Sequence, residues 1–385
     1  MTVALLYLLA LLAVAVGGAA VAMILTGRAP IHVLRWHFLA RKTLVWGLAG
    51  LVGLWAGWLS WQGGAFALWT LGPVSLSLLG VVLAHKLHPA AAFVAEDFPA
   101  EAEHPLALPL ADDAEMALIE HGGVTRAYAL DHLIHHHIIN DRFGDTTVSI
   151  TYCAMCRSII PFDVTELGPL SVVALRDANM VVADRQTYTF FQQASFDSLV
   201  GPVHPRTLDM VPFQILPWSE VKQLEPMPRV AAVTEGDLRP FELPIPGVWQ
   251  RVMAGDFTPS LSASRRDHTF PARTRVVGML DPSVGPPRAW LKQELPERGV
   301  VEVAAGVFLV ALHGVVSGYR LPRGAAGPLE LTEDGVLCTS GAATRWDLRG
   351  RRLSGDLPDL DRVRLSDEYW FSWRLFHPQA ALVRL

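Results

Sequence analysis

Cysteine is scarce: the chain of 385 residues has three, at positions 153, 156 and 338. So low a count excludes a disulfide-framed secreted scaffold. Acid is wholly missing from the first quarter, where no Asp or Glu precedes Glu96. Base is sparse there too, limited to Arg28, Arg35, Arg41, Lys42 and Lys86. The remainder carries 27 bases against 37 acids, a formal charge of −10, with no stretch dense in Lys or Arg. That balance argues against nucleic acid as a partner. The sequence has no Gly-rich phosphate loop, no GxSxG elbow and no HExxH helix, so no nucleotide motif is in view.

What is abundant is apolar surface, 51% hydrophobic residues against 18% charged, which excludes a disordered or collagen-like chain. Residues 3–26 form one uninterrupted apolar run. As a helix rising 1.5 Å per residue, a run of that length crosses a hydrocarbon core of about 30 Å. The run lacks a preceding base and exceeds the apolar stretch of a cleavable signal peptide. Two further spans are expected over 43–60 and 65–84, separated by the uncharged SWQGG. Trp46, Trp58, Trp61 and Trp69 fall near their ends, where indoles favour the interface. The lipid bilayer is thus the first expected partner, and residues 1–85 read as a three-span, multi-pass membrane region. The loop GRAPIHVLRWHFLARK holds four bases and no acid, which places it, and the large C-terminal portion after two more crossings, in the cytoplasm.

Residues 86–110 are rich in Ala, Pro and Glu and read as a linker. Beyond them, TTVSITY (146–152), LSVVAL (170–175) and GVFLVAL (306–312) read as strands, and helical patterns follow Tyr128 and Trp218. The expected class is α+β and sheet-rich. An internal repeat is also expected: Trp218 to Pro226 and Trp370 to Pro378 share their Trp-to-Pro spacing, and Gly201 and Gly355 precede them at similar intervals. Arg126-Ala-Tyr128 and Leu133 echo Arg288-Ala-Trp290 and Leu295. The units are 111–228 and 270–385, joined by a connection over 229–269. In both, the aromatic helix is expected to pack on its own sheet.

The chemistry concentrates in the first unit. Cys153-Ala-Met-Cys156 follows a strand, and His135, His136 and His137 arrive just before that strand, whereas the second unit has no cysteine at the matching place. Two thiolates and an imidazole suit zinc or copper, and Met155 adds a soft ligand favouring copper in the +1 state. The expected metal ligands are therefore Cys153, Cys156 and His136, with His137 and Met155 as further donors. A thiol–disulfide redox pair of Cys153 and Cys156 is the alternative. A third reading is a non-catalytic accessory subunit docked on a larger membrane complex. Haem c is excluded, because Arg157 stands where its attachment motif requires His. Asn140-Asp141 reads as turn chemistry and Asp184-Arg185-Gln186-Thr187 as a local ion-paired turn. His377 reads as a partly buried core residue.

Several segments, taken together, resemble a widespread prokaryotic family: ADD (111–113), TRAYAL (125–130), HIIND (137–141), TYCAMCRSIIPFD (151–163), DRQT (184–187) and YWFSWRLFHP (369–378). The family is domain of unknown function 3179, whose signature runs close to TYCPLCxSAVVFDR after a WHEIVND segment. The resemblance covers nearly all of 111–385 and not the spans. It implies that both family cysteines fall on Cys153 and Cys156 and the family His on His136, with His135 and His137 in place of Trp and Glu. Ala154, Met155 and Arg157 depart from the usual Pro, Leu and small residue, and Phe191 stands where Trp is frequent. Many members look exported or lipid-anchored, so the resemblance leaves the exported side open for residues 86–385.

Overall fold

The computed structural model of the chain describes the backbone of every residue except 1, 63–65, 240, 242–246, 256, 262, 272, 326 and 340–343. The first apolar run forms helix α1 (Thr2–Thr26). Helix α2 (Ile31–Trp61) starts after Pro30, which is extended at φ −59°, ψ 147°. The second apolar segment thus begins twelve residues earlier than expected, and the basic loop shrinks to residues 27–30. Leu34, His37, Arg41 and Val45 are buried along one face of α2, so helical spacing persists through the basic residues. Helix α3 (Phe66–Lys86) contains Pro73 and ends on His85 and Lys86. Among the described residues, α1 and α2 are the helices long and apolar enough to cross a membrane, where three spans were expected. The SWQGG turn falls partly outside the described residues.

The three helices pack against one another. At the α1–α3 crossing a Cβ on Gly80 would lie 2.4 Å from the Ala13 carbonyl carbon, and one on Gly17 would lie 2.1 Å from Gly80 O. Small residues allow this backbone approach, as they do between helices in lipid.

The stretch 86–110 is structured, contrary to the linker reading. It holds helix α4 (Pro89–Ala92), a buried Phe93 and a strand, Glu96–Asp97, parallel to Ile138–Phe143. Glu101 bridges to Ala231. Apolar Phe93 and Ala92, flanked by Pro89 at a helix start, explain the order.

Six sheets follow, in two sets of three. In the first set, hairpin Glu115–His121/Val124–Ala129 receives Phe213–Pro217 antiparallel on one edge and Arg229–Val230 parallel on the other. Ile138–Phe143, Thr146–Cys153, Ser158–Asp163 and Asp209–Met210 pair in that order in the second sheet. Leu170–Arg176, Asn179–Asp184, Phe190–Gln192 and Ser198–Val200 form a meander. The second set has the same strand order. Hairpin Arg275–Met279/Arg288–Leu291 receives Leu365–Tyr369 antiparallel and Ala381–Val383 parallel. Arg298–Ala304, Val307–Leu312, Val315–Arg320 and Asp361–Arg362 pair next. Leu329–Leu331, Leu337–Thr339, Arg345–Trp346 and Arg352–Ser354 close the set.

The expected helices are present: α5 (Leu130–His136), α6 (Trp218–Val221) and, in the second set, α8 (Trp370–Phe376), with α7 (Val248–Ala254) between the sets. Trp218 and Trp370 donate their backbone N–H to Ala114 and Thr274 carbonyls, both at 2.8 Å. Helix α6 packs on Phe213–Pro217 and Glu115–His121, and α8 on Leu365–Tyr369 and Arg275–Met279. Trp373 lies on Gly278, where a Cβ would come within 2.0 Å of the indole. At the corresponding places of the first set, Leu118 and Val221 share one core cluster.

Asn140 and Asp141 lie inside a strand, not in a turn, and both are buried. Asn140 donates to Asp97 and Leu170 O, and Asp141 accepts from Tyr128 and Arg126. Their polarity suggested a turn; their partners make burial tolerable.

Candidate functional site

Strand Thr146–Cys153 delivers the first cysteine to a tight hairpin in which Cys153 pairs with Ser158. The backbone N–H of Cys156 closes the turn on Cys153 O at 3.1 Å, and Arg157 leaves it at φ 57°. A non-Gly residue at positive φ is strained, and such strain gathers at functional sites. The two Sγ atoms are 3.1 Å apart, both cysteines are free, and both are buried, Cys153 2% and Cys156 0% exposed.

The sulfurs differ in acidity. Burial pushes the Cys153 thiol up, but hydrogen bonds from the Cys156 side chain and from the backbone N–H groups of Cys156, Met180 and Met155 outweigh it, and the net shift is down. Burial pushes Cys156 well up, reinforced by the neighbouring Cys153 sulfur. Cys156 also contacts Ala178 O and accepts from Asn179 Nδ2, both at 3.3 Å. Asn179 is fixed by Gln193 Oε1 at 2.9 Å and Gln192 Nε2 at 2.7 Å, in a network free of solvent.

The second set of sheets covers the turn. Arg273 donates to Met155 O at 2.7 Å, and its guanidinium lies 4.8 Å from the Tyr369 ring centre. Arg157 Nη2 donates to both carboxylate oxygens of Glu115, at 2.8 and 2.6 Å. The buried Ser372 hydroxyl, without a well-formed hydrogen bond of its own, faces both the Cys156 sulfur and the Glu368 carboxyl. Burial pushes Glu368 up to about 7, although Ser366 donates to it at 2.6 Å.

Of the three consecutive histidines, His137 faces the cysteines. It caps α5 at φ 62°, which turns it away from the helix face carrying His132 and His136. His137 lines a cavity of about 50 Å³ together with Cys153, Met155, Met180, Phe93 and Trp249. Burial pushes its imidazole down to about 3, so it is neutral at ordinary pH, and its Nδ1 has no partner. His136 is held elsewhere, by Val94 O at 3.2 Å and Asp237 Oδ1 at 3.0 Å. The structure therefore brings Cys153, Cys156, Met155 and His137 together, and not His136. Among the described residues, no close group of three or more His, Cys, Asp or Glu donors includes a cysteine. Cys338 lies in strand Leu337–Thr339 of another sheet.

Contacts tie the site to the apolar N-terminal helices. A Cβ on Gly27, in the α1–α2 turn, would meet Ser260 O at 2.5 Å; Ser260 Oγ accepts from Ala178 N at 2.9 Å, and Ala178 O contacts Cys156. The 184–187 segment is an ion-paired turn: Asp184 accepts from the N–H groups of Gln186 and Thr187, and Arg185 pairs with Asp97. Arg35 of α2 donates to Tyr188 O at 2.7 Å and Thr187 O at 3.3 Å.

The cysteine turn thus keeps the signature order of strand, Cys-x-x-Cys and strand, and the family profile spans residues 95–380 with the description "protein of unknown function (DUF3179)". The chain belongs to the DUF3179 family. The DUF3179 region starts just before the Glu96–Asp97 strand, leaves out α1–α4 and contains both sets of sheets except the last strand, Ala381–Val383. No curated protein and no solved structure matches the chain significantly. Sequence reasoning missed several DUF3179-region residues around the turn: Glu368, Ser372, Asn179, Gln193, Arg273 and Trp249. Glu368 carried a signal, an acid set in the apolar-aromatic run Tyr369–Phe371. His132 carried another, its four-residue spacing from His136 on one helix.

Proposed function

We propose that the protein is a membrane-tethered dithiol–disulfide redox module centred on Cys153 and Cys156. The observation carrying this reading is the 3.1 Å separation of two free thiols of unequal acidity. Cys153 is the sulfur that ionises, and Cys156 is the resolving thiol. Forming the disulfide removes two electrons and two protons. Glu368, reached across Ser372 and poised near 7, is the acceptor for the Cys156 proton.

Both sulfurs are too buried for a protein disulfide to reach, which favours a small apolar electron acceptor. The cavity at Cys153 shares Phe93, Leu175, Val252 and Pro259 with a second one of about 130 Å³, which extends to Ile24 and Leu25 of α1 and to Lys86 and Leu87. An engineered apolar cavity of ~150 Å³ binds benzene, so a ring suits the outer cavity of about 130 Å³, and the inner one of about 50 Å³ must widen for it to reach Cys153. The acceptor class is a quinone: two thiols and a quinone give a disulfide and a quinol. The test mixes reduced protein anaerobically with a short-chain benzoquinone and follows quinol formation. One quinol per protein, lost in Cys153→Ser, is the expected result; quinol formation that survives in Cys153→Ser, or no quinol at all, defeats the reading.

A soft-metal centre is the second reading. It is supported by the unpartnered His137 Nδ1 in the cavity with Cys153 and Met155. Copper(I) or zinc would be held by Cys153, Cys156 and His137 with Met155 near. Retention of one copper by the reduced protein, lost in His137→Ala, would favour it over redox chemistry.

We further infer that 111–228 and 270–385 are copies of one unit. The shared strand order supports this, as does the 3.8 Å approach of Glu115 to Arg275, each the first residue of its hairpin. We also read α3 as a third crossing. The five bases preceding Glu96 then gather at the bundle end facing the sheets, which favours a cytoplasmic domain, where thiols rest reduced.

A further inference from the structure

The histidine that left the cysteines has company of its own. His136 Nε2 lies 3.0 Å from Asp237 Oδ1 and 3.8 Å from Glu96 Oε2. His132, one helical turn earlier on α5, is fully buried and contacts the same Glu96 carboxylate. Glu96, His132 and His136 present one donor atom each within 4.8 Å of one another, and so do His135, His136 and Asp237.

Hydrogen bonding fixes which atoms are donors. His136 Nδ1 faces Val94 O at 3.2 Å, and a carbonyl only accepts, so Nδ1 carries the proton. Nε2 is directed at the Asp237 carboxylate oxygen 3.0 Å away, so a proton or a metal cation lies between them. Asp237 is oriented to match: its Oδ2 accepts from Thr234 N and Thr234 Oγ1, both at 2.7 Å, which leaves Oδ1 toward His136. An imidazole held through its other nitrogen by a carbonyl, and a carboxylate held through its other oxygen, are the outer-shell supports of metal ligands. Ligand atoms about 2.1 Å from a tetrahedral cation are roughly 3.3 Å apart. The His136 separations bracket that value. His132 Nδ1 and His135 Nδ1 are buried without partners, so two ring nitrogens of the cluster lack a hydrogen bond.

We infer that Glu96, His132 and His136, whose donor atoms lie within 4.8 Å of one another, form a site for a divalent first-row transition cation that Asp237 joins from the far side of His136, separate from the cysteine pair. Two imidazoles and two carboxylates suit zinc, iron(II) or manganese rather than copper(I). The ligands come from a strand, helix α5 and the 234–237 turn, so the ion ties the chain just after α4 to the sheets. This does not rest on the redox reading.

Zinc and cobalt(II) are the probes, each added to the detergent-solubilised full-length protein. One zinc per chain is expected, unchanged in Cys153→Ser and weakened more than about 100-fold in His136→Ala and His132→Ala. Asp237→Asn, at a surface turn, guards against misfolding: it keeps the circular dichroism of the parent and weakens zinc about 10-fold or more. Cobalt(II) should show visible d–d bands and no sulfur charge-transfer band. Zinc binding that survives His136→Ala and Asp237→Asn, a cobalt–sulfur band, or loss of zinc in Cys153→Ser overturns the site.

Discussion

The backbone N–H of Tyr369 donates to the Cys156 carbonyl at 2.9 Å, so a residue from the second set of sheets holds the cysteine turn of the first. Arg273, Ser372 and Glu368 come from the same side. The set without the Cys-x-x-Cys turn is therefore a wall of the site: it fixes the turn and brings a buried carboxyl to the Cys156 side of it.

The inequality of the two thiols is directly measurable. Alkylation by N-ethylmaleimide, followed by mass spectrometry across pH, should modify Cys153 before Cys156. The Cys153 midpoint should lie below that of an ordinary thiol, near ~8.5. Cys156→Ala removes the side-chain hydrogen bond that does most to lower Cys153, so its midpoint should rise. Equal rates at the two sulfurs would contradict the assignment.

Glu368 makes stability depend on pH in a stated direction. Its folded value of about 7 is above its ordinary 4.5, so between these values the folded state binds more protons than the unfolded. Stability therefore falls as pH rises from about 4.5 to 7, by roughly 3 kcal/mol if nothing else titrates. Glu368→Gln should flatten that fall in denaturant melts and slow quinone-driven thiol oxidation above pH 7. An unchanged pH profile in both would remove Glu368 from the proposed proton path.

The α1–α3 crossing should be intolerant of size. Gly80→Val puts a side chain into the Ala13 backbone and should cost about 1–3 kcal/mol, read as a lower thermal midpoint in detergent. Gly47→Ala on α2, with nothing within 4 Å of its Cβ, should leave the midpoint unchanged.

Topology follows from reporter fusions after Arg28, Gln62 and Pro89. Three crossings require Arg28 and Pro89 to report the same side and Gln62 the other. Agreement between Gln62 and Pro89 would mean that α3 does not cross.

Local pattern was enough to read much of the architecture. The apolar run 3–26 became helix α1, as its unbroken length of apolar residues led one to expect. The strands at 146, 170 and 307 follow from β-branched residues in short runs, and the cysteine turn lies where the strand before it ends. Spacing also marked Trp218 and Trp370, each of which starts a helix. The start of α2 was misplaced because hydropathy drops at Arg35, His37 and Arg41, whereas helical continuity does not.

The site itself was settled by tertiary structure. Three adjacent histidines look alike in sequence; the left-handed turn at His137 sends it to Cys153 and leaves His136 to Glu96 and Asp237. Glu368 stands 212 positions beyond Cys156 in the chain and comes near it, with Ser372 beside both, only because strand Leu365–Tyr369 of the second set lies against Ser158–Asp163 of the first. Helices and strands answer to periodicity over a few residues. The partner, burial and proton affinity of a side chain answer to whatever the fold places beside it, and no short stretch of sequence contains that information.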